Sequence, residues 1–529
     1  MNDRVPVYLD HAATTPVDPR VAAAMCDCLR DPALQANPAS RHAPGRRAAA
    51  LIEHARAQVA ALVNAAPRDL LFTSGATESV NLAVLGAARG NRDRGRHLVT
   101  SRTEHRAVQD ACRRLEREGF RVTWLEPGAD GIVTPAQVGE ALEPDTVLVS
   151  LMHVNNELGV IQDVAAVARL CRPRGVLLHV DAAQSAGRLP VDVTALDADL
   201  VSFTAHKLYG PKGIGALYVR REPRPTLVPL QFGGGHEGGL RSGTLATHQI
   251  VGFGLAADIA AGQLGADMAR ISMLRDRLAE RIRAAGGVHL NGAAGSRAPG
   301  LLNLRFDDIE GESLLLALAG EVTASSGAAC SSATGEPSFV LRALGLSDLE
   351  AQASLRLSLG RGTTDADVDR AAAAVVAAVQ RLRALLPQVP GTSPPAVTGP
   401  CPELPLQGGL FPEYSETVLR RFGTAPTLPL PPGPGIRYRG RAGQLRDLAL
   451  VQFEARVDSG RVVAAGFGAF GCPHTLAASS LVADRMIGQP LAVAVRVEPR
   501  ALARELGVPE NKLGRLLVVE DAARNLAVC

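Results

Sequence analysis

The sequence predicts an α/β protein: a mainly parallel sheet covered on both faces, a small α+β domain beside it, and a further small α+β domain beyond a proline-rich linker. Three observations carry this expectation. Short apolar runs alternate with helical segments through the first half of the 529-residue chain. After about residue 264 the order changes to helix, strand, helix. Between Pro387 and Pro434 fall 13 of the 35 prolines. Strand and helix in turn imply parallel pairing, with active residues at strand ends.

In order along the chain, HLVTS, VTWL, TVLVSLMHV, VLLHVDAA and DLVSFTA read as strands, separated by helical pieces such as HRAVQDACRRLEREG and VAAVARLCRPRG. MARISMLRDRLAERIRAAG is helical, LLNLRF strand-like, ESLLLALAG helical, and a closing helix runs from Asp365 through Leu386. The proline-rich stretch cannot propagate a helix and favours extended, solvated chain, so residues 387–410 read as a linker. FPEYSETVLRRFG fits a short helix, and the remainder of residues 411–529 reads as three strands followed by helices.

Hydrophobic residues at 46% and charged residues at 21% describe a globular chain, and a formal charge of +3 with dispersed arginines implies neither nucleic acid nor an anionic membrane surface as partner. MNDRVPVYLDHAATTP carries charges where a signal peptide needs an apolar core, so the expected compartment is the cytoplasm. Eight cysteines, at 26, 28, 112, 171, 330, 401, 472 and 529, are too sparse for a disulfide framework and read as reduced thiols.

Lysine occurs three times, at 207, 212 and 512, in a chain otherwise rich in arginine. Only an amine forms an imine, so Lys207, directly after His206, reads as a Schiff-base lysine. TSGATESVNLA places small residues, and the Thr77 hydroxyl, at a helix start suited to a phosphate; an ordinary strand-to-helix turn gives the same pattern. Asp181, just past a strand end in HVDAAQS, is placed to pair with a protonated ring nitrogen, with Gln184 three residues on. Taken singly it is an ordinary cap residue.

The order and spacing of FTSGATES, TSRTEH, VSLMHVNNELGV, HVDAAQS, SFTAHKLYGPKGIG, GGLRSGT, SSGAACSSATGEPS and LRLSLGRGTT resemble cysteine desulfurases of the IscS/NifS type, from about residue 5 to 385. The resemblance implies a fold-type I pyridoxal phosphate enzyme that takes sulfur from L-cysteine and releases L-alanine, acting as a homodimer. It implies a large domain of residues 16–264 and a small domain of residues 1–15 and 265–386, together spanning 1–386. By the same resemblance Lys207 holds the cofactor and shuttles protons, His105 stacks over its ring, and Asn156, Asp181 and Gln184 orient it. Ala76, Thr77, Thr204 and His206 surround the phosphate, with Thr244 arriving from the second subunit. Arg356 and Asn156 bind substrate, the guanidinium as a fork on the α-carboxylate. Cys330, among small residues, is the thiol that takes the sulfur as a persulfide and is also the one position for passing contact with an iron-sulfur cluster. No resident metal is expected. Selenocysteine lyase, or cysteine C–S lyase without a dedicated acceptor, remains an alternative, as does a fusion acting mainly as an assembly module.

FGAFGCPHTLAASSLVADRMIGQ and its surroundings resemble the scaffold protein that receives sulfur for iron-sulfur clusters. The departures are informative. Clusters require several thiolates, yet Cys472 alone stands at a matching position; Arg446, with Asp447 beside it, and Gly514 with Arg515 occupy the other ligand places. Three readings stand for this domain: persulfide acceptance on Cys472, shielding of the Cys330 segment, or recruitment of another partner. His474 either lowers the Cys472 thiol pKa or caps a helix.

Overall fold

Strands buried on both faces must be apolar throughout, and the run from Thr146 to Met152 is buried at every position. The computed structural model describes residues 5–326, 337–387, 413–424 and 427–527. Its principal sheet has seven strands in the order Leu70–Thr73, Gly215–Val219, Leu200–Thr204, Leu177–Asp181, Thr146–Met152, His97–Ser101 and Arg121–Leu125. The last five pair in parallel. Gly215–Val219 runs antiparallel to both neighbours, because the ten residues after Thr204 are too few for a crossover helix.

Helices Ala76–Gly90 and Arg106–Arg117 cover one face through Val80, Leu82, Val108 and Leu115. Ala43–Leu62 and Val164–Cys171 cover the other through Ile52, Val59 and Val167. The parallel strands share a register in which Met152 lies opposite Asp181 and Asp181 opposite Ser202. Their carboxyl ends therefore deliver the following loops to one edge.

Helix Thr247–Arg283 is continuous for 37 residues, about 55 Å at 1.5 Å per residue, and passes straight through position 264. Its first half buries Ile250 and Phe253 under the large sheet, and its second half buries Leu274, Leu278 and Ile282 under a three-stranded antiparallel sheet of Val288–Leu290, Leu301–Phe306 and Ser354–Ser358. One helix thus serves two cores. The first described residues join the smaller unit, since Val7–Tyr8 pairs with Val322–Thr323.

Strands Ile436–Gln444, Ala449–Asp458 and Arg461–Phe470 form an antiparallel meander, packed by helices Glu416–Phe422, Pro473–Met486 and Leu513–Arg524. This unit shares a buried cluster with the small domain: Leu314, Leu382 and Leu385 on one side, Phe422, Phe467 and Leu476 on the other. At roughly 2 kcal/mol for each large apolar side chain removed from water, the shared cluster favours association strongly. Ser313 Oγ donates to the Gly471 carbonyl at 2.8 Å across the junction. No described helix is long and apolar enough to cross a membrane.

Candidate active site

The loops leaving the strand ends enclose a cavity of about 530 Å³. Ala76, Thr77, His105, Asn156, Asp181, Gln184, Thr204, His206, Lys207 and Arg356 all line it. Thr244 does not. It is exposed on a second cavity of about 430 Å³ beside Cys28, Pro38 and His248. Cys330 lies outside the described residues.

Lys207 ends the 3-10 turn Ala205–Lys207 that follows Leu200–Thr204. Its carbonyl accepts from Arg188 Nε at 2.9 Å, and the same guanidinium donates to Gln184 Oε1 at 3.1 Å and to the His11 carbonyl at 2.5 Å. Arg188 escaped the sequence reading: four residues after Gln184 in HVDAAQSAGR, it carries no local mark of a buried role. Gln184 is held at its other end as well, donating to the Ala12 carbonyl at 2.9 Å.

His105 Nδ1 accepts from the Ala107 amide at 3.1 Å, starting helix Arg106–Arg117 and leaving the ring proton to Nε2. Burial lowers its pKa despite the nearby Asp181 carboxylate, so the ring is neutral. Asp181 Oδ1 accepts from the Ala183 amide at 2.9 Å. Burial pushes His206 down to about 4, with Lys207, Lys212 and Arg188 adding to the shift, and its Nδ1 lies 3.1 Å from Thr14 Oγ1. Thr204 Oγ1 donates to the Ile214 carbonyl at 3.1 Å.

Helix Ala76–Gly90 begins after Gly75 with no side-chain cap, which leaves first-turn amides open to an anion. Gly215 passes beneath this turn: a Cβ there would stand 2.7 Å from the Gly75 backbone. Gly215→Ala is therefore expected to displace the turn, costing about 1–3 kcal/mol of stability. Thermal unfolding with and without added pyridoxal phosphate would show both the loss and a weakened ligand-induced shift.

Arg356 is 2% exposed. Nη1 donates to the Asn156 carbonyl at 3.1 Å, and Nη2 to Asp10 Oδ1 at 2.8 Å and Ser325 Oγ at 3.2 Å. Nε is buried without a partner among the described residues. An open helix start, a carboxylate at the sheet edge, a lysine amine and a buried guanidinium around one ring-sized cavity fit pyridoxal phosphate with an amino-acid substrate.

Cys472 is remote in character from this cavity. It is the N-cap residue of Pro473–Met486, is 4% exposed, and its Sγ lies 3.6 Å from Thr475 Oγ1. Burial and the carboxylates of Glu310 and Glu312 raise its thiol pKa. His474 does not cap the helix: its ring nitrogens have no partner among the described residues, and the ring lies tilted by 46° against that of Tyr414, centroids 4.9 Å apart. Burial, with the Lys512 charge, pushes it down to about 4, so it brings no positive charge to the thiol. Glu312, on the small domain, accepts from both Tyr414 Oη and Lys512 Nζ. At the places of the other ligands, Arg515 Nη1 donates to the Asp447 carbonyl at 2.6 Å.

Residues 7–371 match the model of the aminotransferase class-V family, and residues 443–528 that of the NifU-like N terminal domain. A cysteine desulfurase IscS from Azotobacter vinelandii is 56% identical over 385 residues, 73% of this chain and 95% of that one. Another from Pseudomonas aeruginosa is 55% identical over the same shares. Among solved structures, a NifS-like protein aligns with a TM-score of 0.66 at 34% identity, covering 70% of this chain and 98% of that one. SspA in complex with cysteine aligns with a TM-score of 0.61 at 36% identity, covering 68% and 99%.

Proposed function

The chain belongs to the aminotransferase class-V family, and from that premise we propose how its residues do the work of a pyridoxal phosphate-dependent cysteine desulfurase serving iron-sulfur cluster assembly. When bound, the cofactor supplies an electron sink that acidifies the α-proton of L-cysteine and opens its sulfur to a nucleophile. Ala76, Thr77, Thr204 and His206 would hold the phosphate, Asp181 would pair with the ring nitrogen, and Gln184 and Asn156 would orient the ring. His105 would stack against it. Arg356, which lines the cavity, takes the substrate carboxylate.

Lys207 anchors the cofactor, removes the proton at Cα and returns a proton to the product. The Cys330 thiolate attacks the substrate sulfur, the C–S bond breaks, and the carbon left behind is protonated. The balance is Cys330 thiol plus L-cysteine giving a Cys330 persulfide plus L-alanine. The observation that carries this reading is the convergence of Lys207, His105, Asp181 and Arg356 on one cavity at the strand ends.

In the same reading residues 1–386 are the desulfurase, with a large domain 16–264 and a small domain 1–15 and 265–386; 387–410 are the linker and 411–529 the scaffold-like domain. The active form is a homodimer in which exposed Thr244 completes the second subunit's phosphate site. The cytoplasm suits the five free thiols among the described residues. Cys472 accepts sulfur when the junction at Glu312 opens, since it is otherwise buried beside two carboxylates.

Mass spectrometry after a pulse of cysteine tests these points together. Native spectra should show two chains with cofactor, and peptide maps should show persulfide on Cys330 first. Alkylation should spare Cys472 in the intact chain and reach it severalfold faster in Glu312→Ala. Sulfur that never arrives at Cys472, even in that variant, would leave the domain as a cover. Desulfuration without persulfide on Cys330 would remove the assigned nucleophile, and a large preference for selenocysteine would favour the lyase alternative.

A further inference from the structure

Residues 327–336, which include Cys330, are bounded by described chain on both sides, and each flank is bound to the carboxylate end of the cavity. Before the segment, the Ser325 carbonyl accepts from the Arg356 amide at 2.8 Å, and Ser325 Oγ accepts from Arg356 Nη2 at 3.2 Å. After it, Ser338 Oγ donates to Glu157 Oε2 at 2.5 Å, with both residues buried. Ser338 also caps helix Phe339–Ala343 by accepting from the Leu341 amide at 3.2 Å.

Glu157 is 1% exposed and lines the cavity next to Asn156, whose carbonyl takes Arg356 Nη1. Its own carbonyl accepts from Asn303 Nδ2 at 3.2 Å, on the small-domain strand paired with that of Arg356. The short helix has a second hold on the rim: the Arg106 guanidinium sits over the Phe339 ring at 4.4 Å, one residue after His105. Among the described residues Ser338 donates to the Glu157 carboxylate, and a buried carboxylate so held is an unfavourable arrangement for packing alone. Burial pushes Glu157 up to about 7, opposed by the Ser338 hydrogen bond and the charges of Arg356 and Arg106.

We propose that Glu157 and Ser338 are positioning residues for sulfur transfer, tying the chain that carries Cys330 to the site that binds the substrate carboxylate. A substrate carboxylate that draws on Arg356 acts on the group that holds Ser325 and borders Glu157. Binding of the correct amino acid and presentation of the thiol then share one set of donors. This rests on the assignment of Cys330 as nucleophile.

The test separates chemistry at Cα from transfer to sulfur in the full-length holoenzyme. Exchange of the Cα hydrogen of L-alanine with deuterated water reads the first; single-turnover persulfide on Cys330 reads the second. Ser338→Ala should keep exchange while slowing persulfide formation about tenfold, the scale of one intramolecular hydrogen bond. Glu157→Gln should slow persulfide formation similarly, and the double variant should be no slower than either single one. Equal loss of exchange and persulfide in Ser338→Ala, no loss of either, or additive losses in the double variant would overturn the proposal. Absence of persulfide on Cys330 in the unaltered chain would instead overturn the assignment on which it rests.

Discussion

Lys207→Ala is expected to abolish alanine production and the visible absorption of lysine-bound cofactor, while leaving the fold intact. The proton-transfer share of the loss alone is on the order of 10²–10⁴-fold. Loss of covalent anchoring comes on top of it. The side chain lines the cavity, whereas its backbone is held independently by Arg188 on the Lys207 carbonyl, so removing the amine leaves the turn supported. Absorption spectroscopy, thermal unfolding and an alanine assay on one preparation check all three statements. Retained turnover would sink the assignment, and added primary amine should restore part of the proton transfer.

Cys330→Ala is expected to retain cofactor absorption and Cα hydrogen exchange but to release almost no sulfide from L-cysteine. Together the two profiles would divide the reaction, with Lys207→Ala losing the steps before the C–S bond breaks and Cys330→Ala only the breaking itself. Full sulfide release by Cys330→Ala would mean that another thiol, or water, attacks the substrate sulfur.

The five parallel strands were legible because each is a short apolar run between helical segments, a signal contained within ten or so residues; their order across the sheet, and the antiparallel strand Gly215–Val219, depend on pairings between distant segments. Most of the candidate site residues were legible as motifs for a related reason: those of the large domain sit at or just beyond the carboxyl ends of strands, which parallel pairing brings to one edge, whereas Arg356 lies within strand Ser354–Ser358 of the small antiparallel sheet. Glu157 and Arg188 were not legible. A buried charge looks like any surface charge until the residues around it are known, and the partners of Glu157 lie 181 residues away at Ser338. The single helix through position 264 was hidden by its change of partner, because its two halves bury different faces against different sheets. The junction at Glu312 was hidden as well: in ESLLLALAG that residue reads as the polar side of a helix, and its partner Lys512 is 200 residues on.

Where a metal-binding scaffold would gather thiolates, this chain carries one sealed cysteine and a lysine directed at Glu312. A bound cation comes and goes with its supply; an ammonium group is part of the polypeptide. Contact between the two units through Lys512 and Glu312 therefore needs no bound cation to hold it.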